Sequence, residues 1–188
     1  MAVTGDRAVS DKSITLASSD FDLFDVPWRF AQDSAALDTR WKDLQREAHP
    51  DKFAAQGAAA QRLAMQWSVR INEAYQRLKD PLRRAAYLCE LGGAPVNADI
   101  NTAMPAQFLL QQMEWREELD ATASAAEVDA LNAHVLANKR EVLKLCGELL
   151  DQRHDYAQAV GQVRALMFIE RFCCDIDTRF EHFEALQQ

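Results

Sequence analysis

The sequence has little glycine and little proline, with 6 and 5 residues among 188. Both residues interrupt regular helices, so their scarcity beside abundant alanine, leucine, glutamine and glutamate predicts a mostly helical protein. No run of about 18 apolar residues occurs, which argues against a transmembrane helix. Residues 1–20 include several charged side chains and lack an apolar core, so we expect no secretory signal there.

An excess of positive charge is also missing. Lysine and arginine total 21 and aspartate and glutamate total 29, which gives a formal net charge of −8. A nucleic-acid-binding protein concentrates cations to replace the counterions of phosphate, so this balance argues against one. The sequence has no glycine-rich phosphate loop, no Gly-x-Ser-x-Gly elbow and no recognisable pair of catalytic carboxylates. We therefore predict no catalytic residues.

Cysteine is scarce, and its spacing does not suggest a disulfide or a metal site. The four residues form no Cys-x-x-Cys pair and lie at Cys89, Cys146, Cys173 and Cys174. Reduced thiols predict a cytoplasmic location. A competing hypothesis is a helical thiol or metal enzyme that uses these cysteines with His134 and His154. Because those residues share no metal-ligand spacing, we expect no metal and no cofactor.

Composition divides the chain into four segments. Residues 1–19 are small and polar, and we predict a flexible tail. Residues 20–91 carry short amphipathic helices, residues 92–104 are typical of a linker, and residues 105–188 carry longer helices. Acidic and basic residues number 11 each in residues 20–91, against 15 acidic and 8 basic in residues 105–188. We expect an anionic partner to bind the first domain, and an apolar or cationic partner the second.

Capping residues delimit the helices of residues 20–91. A short element around Phe21 ends near Pro27. Asp33 or Ser34 can cap a second helix, and Pro50 ends that helix. The dipeptide Asp80-Pro81 starts a short fourth helix that Gly92-Gly93 closes. Apolar residues at helical spacing predict the buried faces of the second, third and fourth helices: Leu37, Trp41, Leu44 and Ala48; Leu63, Trp67, Ile71, Ala74, Tyr75 and Leu78; Leu82, Tyr87, Leu88 and Leu91.

Three longer helices are predicted after the linker, over about 105–121, 126–150 and 155–186. Their short connections predict an antiparallel bundle. The buried stripe of the last helix is predicted from Tyr156, Val160, Val163, Leu166, Ile169, Cys173, Ile176, Phe180 and Phe183. The predicted fold is therefore all-α: an antiparallel helical hairpin with short helices, followed by a C-terminal three-helix bundle.

The tripeptide His49-Pro50-Asp51 lies between the two long helices of the first domain. With about 100° per residue, Lys42 and Arg46 fall on the solvent side of the preceding helix and form a basic edge with Lys52. A rigid loop that holds an imidazole and a carboxylate beside a basic helix suits docking. The spacing alone leaves two interpretations open: a docking loop, or a helix stop in which Asp51 satisfies backbone amides.

A His-Pro-Asp loop between two amphipathic helices, with a short fourth helix after them, resembles a J-domain. The resemblance covers residues 20–91 and rests on Phe21, Leu23, Phe24, Trp41, Leu44, Arg46, His49–Phe53 and Ile71–Tyr75. Further along, Arg84–Leu88 and the segment FLLQQMEWREELD (108–120) resemble the HscB family, the J-type co-chaperones of iron–sulfur cluster assembly. General J-proteins continue instead with a Gly/Phe-rich linker and β-rich or zinc-ribbon domains.

The resemblance implies that an Hsp70-type ATPase is one partner and that the J-domain accelerates its ATP hydrolysis. The residues carried over for this contact are His49, Pro50, Asp51, Lys42, Arg46 and Lys52. Asp51 is expected to pair with a basic residue of the Hsp70, Pro50 to fix its neighbours, and the basic edge to steer an acidic surface. For Lys42 and Arg46 the alternative is an ordinary solvated helix face.

The resemblance also implies a second partner, the scaffold protein on which the iron–sulfur cluster is built. The residues carried over for this client are Leu109, Leu110, Met113, Glu114, Glu117 and Phe168. The first helix of the bundle has more apolar residues than one buried stripe needs, so some are expected to face outward. For Leu110 and Met113, the alternative is a place in the bundle core.

Three features depart from the family pattern. Ala121 stands where many members carry another acid, Trp115 replaces a usual aliphatic residue, and the tail lacks the cysteines of the zinc element found in some eukaryotic relatives. The predicted function is a non-enzymatic co-chaperone that recruits a specialised Hsp70, stimulates its ATPase and delivers the scaffold protein, with neither nucleic acid nor membrane as partner. The alternatives are a general J-domain co-chaperone with another client, and the thiol or metal enzyme.

Overall fold

The computed structural model describes residues 14–97 and 106–185, and every regular element in these residues is helical. The predicted all-α fold is confirmed. No helix in these ranges combines the length and the apolar character that crossing a bilayer requires. Most of the predicted tail and residues 98–104 of the predicted linker lie outside the described residues. The elements in order are α1 (Asp20–Phe24), α2 (Ser34–Glu47), a short 3₁₀ helix (Pro50–Gln56), α3 (Ala58–Lys79), α4 (Pro81–Leu91), α5 (Ala106–Ala121), α6 (Ala125–Gly147), a π-helical segment (Glu148–Arg153) and α7 (Tyr156–Ala185).

The described chain packs as two compact units. The first contains residues 14–27 and 35–75, and therefore α1, most of α2, the 3₁₀ helix and most of α3. The second contains residues 28–34, 76–97 and 106–185, and therefore the end of α3 and all of α4 to α7. Packing thus groups α4 with the C-terminal helices, while the domain boundaries drawn from composition remain predictions.

The first unit buries a small apolar core between α1, α2 and α3, made of Phe21, Leu23, Phe24, Leu37, Leu44, Ala64, Ile71 and Ala74. Ser19 caps α1, because its hydroxyl accepts a hydrogen bond from the Asp22 amide at 3.1 Å. The prediction that Leu63 is buried is wrong, since this side chain is exposed. The buried line of α3 runs instead through Ala64 and Ile71, and Leu63 lies about 100° around the helix from it.

The short helix α4 starts as the sequence predicts. The Asp80 carboxylate accepts from the Arg83 amide at 2.9 Å, and Pro81 takes the first helical position. Leu88 and Cys89 are buried in the second unit, where α4 packs against α7. Leu91, predicted to be buried, is exposed, because two residues beyond Cys89 the helix has turned by about 200°.

The core of the second unit lies mainly between α6 and α7. Its buried side chains include Val128, Leu131, Val135, Cys146, Val163, Leu166, Ile169, Phe172 and Ile176. The predicted buried stripe includes Cys173, but Phe172 occupies this face and Cys173 is only half-buried. Phe172 and Cys173 each lie three or four residues from both Ile169 and Ile176, so spacing alone does not choose between them.

A π-helical segment follows α6, where the sequence predicted the end of one regular helix. His154 ends this segment in the left-handed region, with φ 52°. Asp151 within it accepts hydrogen bonds from the backbone amides of Phe30 and Ala31, at 2.5 and 2.9 Å. Arg84 is buried nearby, with its guanidinium 5.0 Å from the centroid of the Phe30 ring. These contacts hold residues 28–34 in the second unit.

Candidate functional site

The His-Pro-Asp tripeptide forms the first turn of the 3₁₀ helix between α2 and α3. His49 is its N-cap: the imidazole Nδ1 accepts a hydrogen bond from the Asp51 amide at 3.3 Å, and Pro50 follows at the first helical position. The carboxylate Oδ2 of Asp51 lies 3.6 Å from the same Nδ1.

This turn is exposed. The side chains of His49 and Asp51 are 57% and 90% accessible. Pro50 fixes φ and removes one amide that would otherwise need a partner, which restricts the conformations open to the turn. His49, and not Asp51, therefore caps the helix, and the Asp51 carboxylate is left exposed to solvent. That the loop docks a partner stays a prediction.

The basic edge is weaker than the sequence suggests. Lys42 and Lys52 are exposed, as expected. Arg46 is also exposed, but its guanidinium forms an ion pair with Asp43 at 3.0 Å, one turn earlier on α2. This ion pair neutralises part of the charge of Arg46. Lys42 and Lys52 therefore contribute most of the positive potential of the basic edge.

A polar network that the sequence analysis did not identify joins α2 to α3 behind the tripeptide. The amide oxygen of Asn72 accepts from the Trp41 indole N–H at 2.9 Å and from the Gln45 side chain at 2.7 Å. Trp41 also stacks on Tyr75 with ring centroids 4.9 Å apart, and the Tyr75 hydroxyl bonds Asp38 at 2.8 Å. The Asn72–Tyr75 pair lies within a motif that carried the J-domain resemblance, and that motif is the signal that could have revealed the network.

At the far end of the same interface, Ser68 links the helices close to the turn. Its hydroxyl donates to the Ala48 carbonyl at 3.2 Å, one residue before His49. Gln45 reaches the Ser68 carbonyl at 3.1 Å. The network therefore extends along the hairpin to the residue next to the tripeptide and fixes the angle at which α2 enters the turn.

A second candidate surface lies on α5. Phe108 and Trp115 bury one side of this helix. Leu109, Leu110 and Met113 are 45%, 64% and 61% exposed, and Glu114 and Glu117 are exposed beside them. Leu110 and Met113 are therefore not part of the bundle core. The surface is an apolar patch flanked by carboxylates, which is a chemistry suited to a partner with apolar and basic groups.

Phe168 on α7 lies between this helix and the core. It is half-buried, meets Phe108 edge-on at 5.8 Å and stacks on Phe172 at 5.9 Å between centroids. The guanidinium of Arg116 lies 5.5 Å from the Phe168 centroid. Phe168 thus packs against the buried side of α5 and stays partly exposed.

Three of the four cysteine thiols are buried or half-buried, at Cys89, Cys146 and Cys173. Burial raises the pKa of Cys89 to about 11 and that of Cys146 to about 12, and it also raises the pKa of Cys173. Thiols with such values are protonated near neutral pH and are poor nucleophiles. His134 and His154 are exposed, and no three histidine, cysteine or acidic residues in the described ranges form a metal-binding group.

Known proteins that are similar to this chain cover the residues of both candidate surfaces. A family model described as the HSCB C-terminal oligomerisation domain matches residues 104–177. The co-chaperone protein HscB homolog of Burkholderia multivorans is 48% identical over 174 residues, which is 91% of this chain and 99% of the relative. The homolog of Paraburkholderia xenovorans is 50% identical over 175 residues, which is 90% of this chain and 98% of the relative.

Solved structures give the same result. Chaperone HscB from Vibrio cholerae has a TM-score of 0.76 at 34% identity and covers 88% of this chain and 99% of its own. Human co-chaperone HscB has a TM-score of 0.81 at 27% identity and covers 87% of this chain and 82% of its own. The resemblance found in the sequence is confirmed, and the chain belongs to the HscB family of J-domain co-chaperones.

Proposed function

We propose that this co-chaperone is not an enzyme itself, but recruits an Hsp70-type ATPase of the iron–sulfur system, stimulates it, and delivers the iron–sulfur scaffold protein to it. The observation that carries the proposal is the exposed His-Pro-Asp turn, capped by His49 and standing between two helices that a polar network holds together. The four free cysteines support action in a reducing compartment such as the cytoplasm.

The Hsp70 would bind through His49, Pro50, Asp51, Lys42, Arg46 and Lys52. A docked protein accelerates ATP hydrolysis only if it binds the hydrolysis-competent conformation better than the others. Asp51 is suited to this because its carboxylate is almost fully exposed and available to a cation of the partner. Because the turn is already formed, little conformational entropy is lost on docking.

The scaffold protein would bind through Leu109, Leu110, Met113, Glu114, Glu117 and Phe168. The exposed apolar side chains supply the contact area, and the carboxylates select a partner with basic groups at the rim. Glu114 is held in position, since it accepts a hydrogen bond from the Gln111 side chain at 3.0 Å. The two partners would therefore bind separate units of one chain.

The experiment is the single-turnover ATPase rate of the cognate iron–sulfur Hsp70, measured with and without scaffold protein. Two variants test the two surfaces: His49→Gln, and the double variant Leu109→Ala/Met113→Ala. The chain offers matched controls. His134→Gln changes another exposed histidine, and Leu136→Ala/Met167→Ala removes two exposed apolar side chains from α6 and α7.

We expect His49→Gln to reduce stimulation by about tenfold or more, which corresponds to about 1.4 kcal/mol of lost coupling. The double variant should keep the stimulation seen without scaffold and lose the additional stimulation that scaffold gives. Both controls should behave like the wild type. Equal stimulation by wild type and His49→Gln would refute the co-chaperone mechanism. A scaffold that has no effect on the wild type would point to a general J-protein with another client.

A further inference from the structure

The outer face of α3 carries apolar surface that neither proposed partner uses. Met65 and Val69 are 60% and 52% exposed and lie with Leu16 along a groove of about 630 Å³. Arg62 and Glu73 line the same groove at its two ends. Neighbouring exposed apolar side chains of this size on a folded domain mark a surface that another molecule covers.

The groove residues of α3 form one stripe along the helix. Five of the six follow at steps of three, one, three and four residues, and Arg70 lies to one side of them: Arg62, Met65, Gln66, Val69 and Glu73. With about 100° per residue, they lie on the side opposite the buried Ala64 and Ile71. At 1.5 Å per residue, the two charged ends are about 16 Å apart along the axis.

Three charged side chains line the groove on α3: Arg62 and Glu73 at its ends, and Arg70 between them. Arg70 is already engaged, since its guanidinium lies 2.6 Å from the buried Asp20 and donates to the Leu16 and Ser18 carbonyls. Those contacts hold residues 16–18 as one wall of the groove. Arg62 and Glu73 are exposed, and neither forms an ion pair with another of the described residues. A ligand of this face therefore meets one positive end and one negative end.

This arrangement is complementary to itself. Consider a second α3 turned by 180° about an axis midway between Arg62 and Glu73. Its Glu73 then faces Arg62 of the first copy, and its Arg62 faces Glu73. Gln66 and Val69 exchange places in the same way, and Met65 lies beside Val69 of the other copy and opposite its Arg70. One two-fold operation satisfies all four charges and covers the apolar residues, as an isologous interface does.

We propose that this face of α3 is the contact surface of a weak homodimer in which two α3 helices pack antiparallel. The area of one helix face is well below the roughly 800 Å² per partner of stable complexes. The dimer should therefore form only at high protein concentration. The surface lies in the first unit and is separate from residues 104–177, which match the family's C-terminal domain.

The test is sedimentation velocity of the full chain over a concentration series, with four proteins: wild type, Arg62→Glu, Glu73→Arg, and the double variant Arg62→Glu/Glu73→Arg. Each single reversal replaces two attractive contacts with two repulsive ones across the two-fold axis, so association should weaken by about tenfold or more. The double variant restores opposite charges at both contacts and should associate like the wild type. Arg83→Glu, which reverses an exposed arginine outside the stripe, is the matched control.

Far-UV circular dichroism of all variants checks that the exposed substitutions leave the fold intact. A wild type that stays monomeric at every concentration overturns the proposal. So does association that the single reversals leave unchanged, or a double variant that fails to recover. A monomeric chain whose single reversals lose Hsp70 stimulation would also overturn it, and would assign the face to a different partner.

Discussion

The position of α5 depends chiefly on Trp115. This side chain is buried, stacks on Phe172 with ring centroids 5.9 Å apart, and meets Phe108 edge-on at 6.0 Å. Among residues 107–121, only Phe108 and Trp115 are buried. The helix that presents Leu109, Leu110 and Met113 is therefore held mainly by two aromatic rings, and Trp115→Ala removes the larger one.

Replacing a buried aromatic residue by alanine costs about 3–5 kcal/mol of unfolding free energy, because a cavity remains where the ring was. The two ring contacts account for about 0.5–1.5 kcal/mol each within that total. Burial of Phe108, which remains, supplies about 2–3 kcal/mol. We therefore expect Trp115→Ala to lower the free energy of unfolding by about 4 kcal/mol and to loosen α5 before the rest of the second unit.

Three measurements follow from this expectation. Urea denaturation gives the free energy of unfolding, hydrogen exchange reports the protection of the α5 amides, and calorimetry gives the affinity for the scaffold protein. Scaffold binding should weaken although no residue of the exposed patch has changed, and stimulation of the Hsp70 without scaffold should persist. Trp115→Leu keeps an apolar side chain and should lose less than half as much stability. The reasoning is refuted if Trp115→Ala costs less than about 1 kcal/mol and the α5 amides exchange as slowly as in the wild type.

Three further predictions concern stability. Asn72→Ala removes the acceptor shared by two donors of α2, including the Trp41 indole, and should cost about 1 kcal/mol in urea denaturation; unchanged stability would contradict the network. Arg70→Met leaves the Asp20 carboxylate buried without its cation and should cost about 3–5 kcal/mol, and adding Asp20→Asn should recover part of that loss. Burial raises the pKa of Cys89 from 9.0 to about 11, so between these values the unfolded chain loses a proton that the folded chain keeps, and stability falls as pH rises. That fall is roughly 2–3 kcal/mol. A denaturation series from pH 8 to 11 should show a shallower decline for Cys89→Ala; parallel curves would contradict this origin.

Local signals in the sequence predict the helix boundaries well. The Asp80-Pro81 start of α4 is confirmed, and α2 ends at Glu47, shortly before Pro50, as the sequence predicts. Such features depend on residues a few positions apart, so they can be read without tertiary information. The exposed arc of α5 is also predictable in kind, because Phe108–Leu110, Met113 and Trp115 cover more of the helix than one stripe needs.

The phase of the buried faces and the links between distant residues are not predictable in this way. Choosing between Phe172 and Cys173 requires knowing that Trp115 packs there, and the π-helical segment contains Asp151, whose partners lie about 120 residues earlier. Arg46 and Asp43 lie three residues apart on α2, but both side chains are exposed and can instead be hydrated. Their spacing alone therefore does not tell whether the ion pair forms. Tertiary contacts therefore decide what local patterns leave open.

The burial of α4 determines how a fragment of this chain would behave. Residue 91 looks like a natural end for a separate J-domain fragment, since the linker composition begins there. However, Ala85, Leu88 and Cys89 are covered in the second unit, where α4 packs against α7. A fragment cut at residue 91 would expose that apolar face, and it should aggregate more readily than the full chain. During synthesis, this face stays uncovered until α7 has left the ribosome, so the core of the second unit is completed only after α7 has been made.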